Sequence, residues 1–423
     1  MAISSSRMRI LHINTSDNGG AGKAVVRLMN GLLKNKITND LLVLYKYHNH
    51  PQIHKFTPDT KSLLKRAKFS LRYRLSQYKQ QKALQGKSKD FEVFSFPESL
   101  YDIRQHPLYK QADIIHLHWV AGFVDYASFF KDCKKHIIWT LHDLNPFSGG
   151  FHYEGDLLKN IRDYKQLDAK IRQVKTRAFN QLDKLNIISP SQWMLDIAQS
   201  QPFLEKFQHT RIPNGINLSL YKPLDQTEAR KKFSLPQDKK IILFLAENIQ
   251  NKRKGFDLFS KALQQVNPEE SLVLFVGNHE HFTLDFPHQK LRYIKEDSKL
   301  AEIYACADVC VVPSLEDNLP NTMLEALACG VPVVAFDTGG IPDMVIPYET
   351  GLLAPAQSHQ ILGKKINELL SNEQLHQTLS LNTRKKAINE FSLDIQTQRY
   401  IEIYRKVLQK NLVLRHLGGY PPK

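Results

Sequence analysis

Short apolar runs rich in β-branched residues alternate with helix-length segments along the whole chain. The runs fall at residues 10–13, 41–44, 114–117, 137–140 and 186–188, then at 241–245, 272–276, 309–312 and 331–335. They are apolar on both faces, as strands are when helices cover both sides of a parallel sheet. The chain therefore reads as α/β, built of doubly wound sheets. The alternation breaks once, at 212–237, where Pro213, Asn214 and Gly215 are followed by Pro223 and Pro236. With 423 residues the chain is too long for one core and fits two of about 200 residues each. We expect a first Rossmann-like domain over 1–213 and a second over 214–392. A last helical segment, 393–423, follows two other helical stretches without an intervening strand and is placed to cross back over the first domain.

Charge is uneven along this plan. Lys and Arg total 58 against 42 Asp and Glu, a formal +16. Residues 1–213 hold 33 Lys/Arg and 18 Asp/Glu, whereas 214–423 hold 25 and 24. A basic first half calls for an anionic partner, and the 42% hydrophobic content excludes a globally disordered chain. Residues 61–89 carry ten Lys/Arg and no acid. Within them Leu64, Ala67, Leu71, Leu75 and Tyr78 share one helix face. Such a helix suits an anionic membrane surface, and the same stripe would serve equally to pack the helix on its own domain.

The four cysteines, Cys133, Cys306, Cys310 and Cys329, make neither a disulfide framework nor a CxxC pair. No stretch approaches the ~20 apolar residues of a membrane span. Residues 1–9 are polar and lead directly into a strand, so we expect no secretory signal. The expectation is a cytoplasmic protein, at most peripheral on the inner face of the plasma membrane.

Three clusters could carry chemistry. After the first strand, Gly19, Gly20 and Gly22 precede Lys23; a glycine loop opening a helix lets backbone N–H groups approach an anion, although a tight turn needs the same residues. This is not a P-loop, because Ala24 stands where the Mg²⁺-binding hydroxyl would be. Second, His142 follows one strand and His116 and His118 end another, where doubly wound sheets place ligands. Third, the run from Pro313 to Pro332 passes from a strand through an acidic loop into a helix whose first turn is expected to hold Pro320. N–H groups near Leu319, Pro320, Asn321 and Thr322 can hold a phosphate with help from the helix dipole. Asp317 belongs to the loop, and Glu325, two turns into the helix, can bind a ribose diol.

These pieces resemble, in order, the retaining two-Rossmann-domain (GT-B) glycosyltransferases of family 4, and within them the subgroup that builds bacterial exopolysaccharide, capsule or lipopolysaccharide. The resemblance rests on GGAG at 19–22, LHD at 141–143, SPSQW at 189–193, IPNGIN at 212–217, RKGF at 253–256, the block at 313–332, GGIPDMV at 339–345 and TGLL at 350–353. It implies two domains facing a central cleft. It also implies transfer of a sugar from a nucleotide diphosphate sugar to a hydroxyl of a glycan or lipid-linked acceptor, with retention. The implied catalytic residues are His142, Asp317 and Glu325. The implied donor-binding residues are Gly19, Gly20, Arg253, Lys254, Asn318, Leu319, Pro320, Asn321 and Glu325. The family pairs Glu with a second Glu across seven residues; here Asp317 stands in the first place, and either it or Glu316 beside it takes the first acidic role. Gly339 and Gly340 serve either close approach to the donor sugar or a plain turn.

No cofactor and no metal are expected, since no Asp-x-Asp motif is present and Arg, Lys and helix N-termini can meet the phosphate charge. The competing readings are a non-catalytic nucleotide- or membrane-binding protein on the same fold, and a GT-B phosphorylase or epimerase. Nucleic acid is not an expected partner; an acceptor at a membrane better accounts for the basic first half.

Overall fold

A computed structural model describes residues 8–278 and 283–417; the polar start at 1–7 and the end at 418–423 lie outside the described residues. The chain forms two compact units. The first takes residues 8–190, 194–212 and 397–417, and the second 191–193, 213–278 and 283–396.

The first unit runs β1 (Arg9–Ser16), α1 (Gly19–Lys34), β2 (Thr38–Tyr45), β3 (Ile53–Lys55), α2 (Leu63–Leu84), α3 (Pro107–Gln111), β4 (Ile114–Leu117), α4 (Tyr126–Asp132), β5 (His136–Thr140), α5 (Glu154–Asn180), β6 (Leu185–Ser189), α6 (Gln192–Gln199) from Met194 onward and β7 (Gln208–Arg211). Its seven strands pair in parallel in the order β3-β2-β1-β4-β5-β6-β7. The second unit runs α7 (Gln226–Lys232), β8 (Lys240–Asn248), α8 (Phe256–Ala262), β9 (Ser271–Asn278), β10 (His288–Leu291), α9 (Asp297–Cys306), β11 (Val309–Val312), α10 (Asn321–Ala328), β12 (Val333–Asp337), β13 (Gly351–Pro355), α11 (His359–Ser371), α12 (Glu373–Glu390) and the start of α13 (Leu393–Leu417). Its six parallel strands are ordered β10-β9-β8-β11-β12-β13. Both are doubly wound Rossmann-like sheets. Each has one switch point where the chain reverses its direction of travel across the sheet, between β1 and β4 in one and between β8 and β11 in the other.

The central strands are buried along most of their length because helices cover both faces. On one face of the first sheet Ile10, Ile114, Ile138 and Ile188 meet Tyr400, Ile401, Tyr404 and Val407 of α13 in a single apolar layer. The spacing of those four helix residues puts them on one side of α13, so from Thr397 onward this helix is part of the first unit's core. The polar residues that follow on the same strand face, His12, His116 and Thr140, are buried above that layer. Cys306, Cys310 and Cys329 are buried thiols and Cys133 is half-buried.

The structure differs from expectation at several places. The segment at 212–237 contains a helix, α7, capped by the Asp225 side chain, which accepts from the Glu228 N–H at 2.9 Å. Pro320 caps α10 from outside the first turn. Gly330 ends that helix with φ +74°, Val331 closes it by donating to the Ala326 carbonyl at 2.9 Å, and β12 starts only at Val333. Gly215 sits where the start of α13 passes; a Cβ there would lie 2.8 Å from the Leu393 Cα.

The apolar stripe of α2 does not pack on its domain. The side toward the protein carries Phe69, Ser76, Gln80, Ala83 and Leu84, all half-buried, with Phe69 against Tyr101 at 6.0 Å between centroids. At about 100° per residue, Leu64, Leu71, Leu75 and Tyr78 lie on the opposite side, and they are 84%, 60%, 51% and 62% exposed.

Candidate active-site residues in each unit

Open parallel sheets bind ligands beyond the carboxyl ends of their strands, at the switch point. In the first unit the loops after β1, β4 and β5 meet there. Asn14 accepts from the Trp119 N–H at 2.7 Å, Thr15 donates its N–H to the Trp119 carbonyl at 2.7 Å, and Thr15 Oγ1 donates to the Ala121 carbonyl at 2.9 Å. The buried Asp17 carboxylate receives the N–H groups of Tyr47 at 2.7 Å and His48 at 2.9 Å. These bonds anchor the turn that delivers Gly19 and Gly20 to the start of α1. Gly19 has φ +76°, which favours glycine, and Gly20 is exposed. Gly22 is required by packing: a Cβ would come 2.6 Å from the Asp17 carbonyl carbon.

His142 stands two residues past β5 and is half-buried. Burial pushes its pKa down to about 4 against the opposing charge of Asp143. Its Nε2 lies 3.2 Å from His118 Nδ1. Asp143 is locked: Trp119 Nε1 donates to Oδ2 at 2.6 Å, His152 Nδ1 meets the same oxygen at 2.6 Å, and the Asn145 N–H donates to Oδ1 at 3.0 Å. Burial raises the Asp143 carboxyl, yet these donors outweigh it and hold the group below the ordinary carboxylate range. The loop that follows is clamped from α5. Lys175, 1% exposed and pushed down to about 7 by burial, donates to the carbonyls of Asn145 and of Gly149, the latter at 2.7 Å. Asp168 accepts the Gly150 N–H at 2.8 Å. Neither Lys175 nor Asp168 stands out in the sequence, where both read as surface charges of a long helix.

In the second unit the turn at Lys252–Lys254, after β8, lies against the loop after β11. The Leu315 N–H donates to the Arg253 carbonyl at 2.8 Å, and Gly255, at φ +73°, passes so close to Pro313 that a Cβ would sit 1.8 Å from its carbonyl oxygen. This contact turns both basic side chains onto Asp317. Lys254 Nζ is 2.6 Å and Arg253 Nη1 is 3.2 Å from Asp317 Oδ2, and Arg253 also donates to the Glu316 carbonyl at 2.9 Å. Burial raises Asp317, but Lys254 and Arg253 together more than compensate and lower it. Asp317 therefore faces the two cations expected to hold phosphates, while Glu316 contributes its backbone carbonyl to Arg253.

Asn318, Leu319 and Pro320 are buried in the same loop, and Asn321 opens α10. Glu325 lies little more than one turn into α10 rather than two, and is 2% exposed. Tyr304 of α9 donates to Glu325 Oε2 at 3.0 Å, sharing its single proton with the Thr322 carbonyl, also at 3.0 Å. Tyr304 is a partner that the sequence does not signal. Gly339 and Gly340 serve the fold of this loop: a Cβ on Gly339 would lie 2.1 Å from the Asp317 carbonyl oxygen, and one on Gly340 would lie 1.8 Å from that of Asn318. The Gly340 N–H donates to the Asp317 carbonyl at 2.9 Å.

Residues 225–386 match the family described as Glycosyl transferases group 1. A curated relative from Campylobacter jejuni, N,N'-diacetylbacillosaminyl-diphospho-undecaprenol alpha-1,3-N-acetylgalactosaminyltransferase, is 29% identical over 203 residues, 46% of this chain and 53% of its own length. N-acetyl-alpha-D-glucosaminyl L-malate synthase of Bacillus anthracis is 23% identical over the same shares, so the chain spans about half the length of these relatives. Alpha-maltose-1-phosphate synthase of Mycolicibacterium smegmatis is 24% identical over 70% of this chain and 80% of its own. Among solved structures, sucrose-phosphate synthase from Thermosynechococcus elongatus superposes with a TM-score of 0.69 at 20% identity, covering 96% of this chain and 100% of that one. Anabaena HepE in complex with UDP and glucose gives 0.66 at 18%, covering 94% and 99%. The two parallel-sheet Rossmann-like units thus match structures of the GT-B fold.

Proposed function

We propose that the protein is a retaining glycosyltransferase of the family 4 type that moves a sugar from a nucleotide diphosphate sugar to a hydroxyl of a glycan or lipid-linked acceptor in bacterial surface polysaccharide synthesis. The observation that carries this reading is the cluster at the switch point of the second unit. Two cations, Arg253 and Lys254, converge on the loop from Asp317 to Asn321, with Glu325 in the helix that follows, all within the segment matched to Glycosyl transferases group 1.

In this reading Arg253 and Lys254 bind the diphosphate by charge-assisted hydrogen bonds, supported by N–H groups of Leu319 and Asn321 at the start of α10. Glu325, oriented by Tyr304, accepts from the ribose hydroxyls. The two cations act most strongly as negative charge develops on the departing diphosphate. His142 of the first unit acts on the sugar being transferred, and Asp317 on that sugar's hydroxyls. The acceptor oxygen bonds to the anomeric carbon on the face from which the diphosphate leaves, and a leaving phosphate oxygen takes the acceptor's proton. No metal is assigned a role, and turnover is expected to persist in a chelator.

The exposed stripe of α2, on a segment with ten cations and no acid, supports attachment to an anionic membrane on the cytoplasmic side, where a lipid-linked acceptor would be found. No helix among the described residues is long and apolar enough to cross a membrane. Thermal-shift screening with UDP, GDP, ADP and their sugars tests the donor half of the proposal. Stabilisation by one nucleotide, lost in Lys254→Ala, is expected; no response to any of them would overturn the reading.

A further inference from the structure

The first unit buries three histidines and half-buries a fourth in one stack. Ring centroids of His12 and His116 are 4.9 Å apart, those of His116 and His118 4.1 Å, and those of His118 and His142 5.5 Å. The strands dictate this: His12 on β1 is in register with His116 on β4, and His118 follows His116 at the end of the same strand.

Hydrogen bonding splits the four rings into two systems. His116 is held between hydroxyls, with Nδ1 2.7 Å from Tyr404 Oη and Nε2 2.8 Å from Thr140 Oγ1, which lies 2.8 Å from Tyr400 Oη. The other three form a line. His12 Nδ1 is 3.0 Å from His118 Nε2, and His118 Nδ1 is 3.2 Å from His142 Nε2. At the far end His12 Nε2 is buried without a partner.

All three rings of the line are neutral at physiological pH, because burial disfavours the charged form of each. A neutral imidazole carries one proton, and each N···N contact needs one donor. Only two arrangements satisfy both contacts. In one, His12 and His118 are protonated on Nδ1, and His142 Nε2 accepts at the end of the line. In the other, every proton moves to Nε2, and His12 buries an N–H that donates to nothing. A buried N–H without an acceptor is a rare and costly defect, and a bare ring nitrogen is the milder one.

We propose that His12 and His118 are positioning residues whose hydrogen-bonded line fixes His142 as its Nδ1–H tautomer. Resting on the proposed role of His142, this makes that side chain a hydrogen-bond donor to an oxygen of the transferred sugar. It cannot serve as a base at Nδ1 unless the whole line reverses. The same cluster also brings nitrogens of His12, His116 and His118 within 4.8 Å of one another, as a metal site would. Yet both nitrogens of His116 and of His118 already have partners, so an ion would have to break the line.

The test is long-range ¹H–¹⁵N correlation on the full chain labelled at histidine, with His142 assigned by its loss in His142→Gln, alongside metal analysis of the purified protein. We expect protonated Nδ1 and bare Nε2 at His142. His118→Phe is expected to shift His142 toward the Nε2–H form, and His118→Gln, whose amide can accept from His12 and donate to His142, to restore Nδ1–H. An Nε2–H signal at His142 in the unaltered protein, an unchanged tautomer in His118→Phe, or one tightly held metal per chain would overturn the proposal. If His118→Phe does not fold, the spectrum of the unaltered protein decides alone. Activity does not enter this readout, so an active His142→Ala would remove the catalytic role of His142 and leave the tautomer assignment standing.

Discussion

Lys254 Nζ lies 2.6 Å from Asp317 Oδ2, and the same oxygen lies 3.2 Å from Arg253 Nη1. One carboxylate oxygen thus occupies both cations that a diphosphate would need. Lys254→Ala should weaken binding of the preferred nucleotide diphosphate by roughly 10- to 100-fold, the range for a charge-assisted hydrogen bond of about 1.5–3 kcal/mol. Asp317→Asn should do the reverse, tightening the free nucleotide while lowering turnover of the sugar nucleotide. Calorimetric titration and initial rates check both, and weaker nucleotide binding in Asp317→Asn would show that the pair is not a competitor of the phosphate.

Tyr304 and Glu325 form a second testable pair. Tyr304→Phe removes one donor to the buried Glu325 side chain and should cost about 1–3 kcal/mol of stability in denaturant unfolding. Nucleotide affinity should fall in Tyr304→Phe, but less than in Glu325→Ala, since the carboxylate remains. Equal losses in the two variants would mean that Tyr304 itself contacts the ligand.

Acid should destabilise the first unit before its carboxylates titrate. His12 and His142 are held down at about 3 and about 4, and His116 and His118 well below 6.5, each chiefly by burial. The unfolded chain takes up these protons below pH 6.5 and the folded chain does not. The histidines' contribution to stability is therefore full above that pH and is lost as the pH drops toward 4. Each histidine contributes up to about 1.4 kcal/mol per pH unit. Asp143 and Asp317 are lowered, so their contribution is lost only at more acid pH. Unfolding free energies at pH 7, 6 and 5 should decline steeply, and less so in His12→Gln; a flat profile would contradict neutral burial.

Gly340→Ala should be damaging although no ligand role is assigned to Gly340. Its Cβ would sit 1.8 Å from the Asn318 carbonyl oxygen, which requires the acidic loop to move. We expect a loss of at least about 2 kcal/mol in stability together with nucleotide binding. A fully stable variant that only loses activity would instead support contact with the sugar.

Replacing Leu64, Leu71 and Leu75 together by serine should leave the unfolding temperature unchanged within about 2 °C, because all three are exposed. Flotation with vesicles containing anionic lipid should fall strongly, and neutral vesicles should bind neither protein. Undiminished flotation of the triple variant would exclude the α2 stripe as the attachment surface.

Most of what the sequence conceals of the fold has one physical origin. Nine apolar runs mark nine strands, and the four strands without such a run, β3, β7, β10 and β13, are the edges of the two sheets. An edge strand has one neighbour and one open side, so β7 and β10 contain no buried residue and β3 only Ile53, whereas β13 buries Gly351, Leu352 and Ala354 but its apolar run is only three residues long between Gly351 and Pro355. The site is legible on similar terms. His116, His118 and His142 stand out because they end or follow strands. His12 lies within a run otherwise apolar on both sides, and only the pairing of β1 with β4 gives it meaning. Lys254 and Asp317 are 63 residues apart, and their contact depends on the adjacency of β8 and β11. The stripe on α2 is evident in the sequence, but the side to which it points depends on Phe69, Ala83 and Leu84 facing inward.

The helix α13 begins in the second unit and, from Thr397, closes the core of the first, where Tyr404 meets His116 and Tyr400 meets Thr140. During synthesis, residues 8–212 leave the ribosome with this wall of their core still missing. Domains of a growing chain usually fold in order of emergence, but here the first cannot finish until residues near 404 have been made, after the second is almost complete. Until then the histidine layer is open to water and its rings are free to protonate. A fragment ending at 213 would stay in that state, so the two units cannot be separated by a single cut.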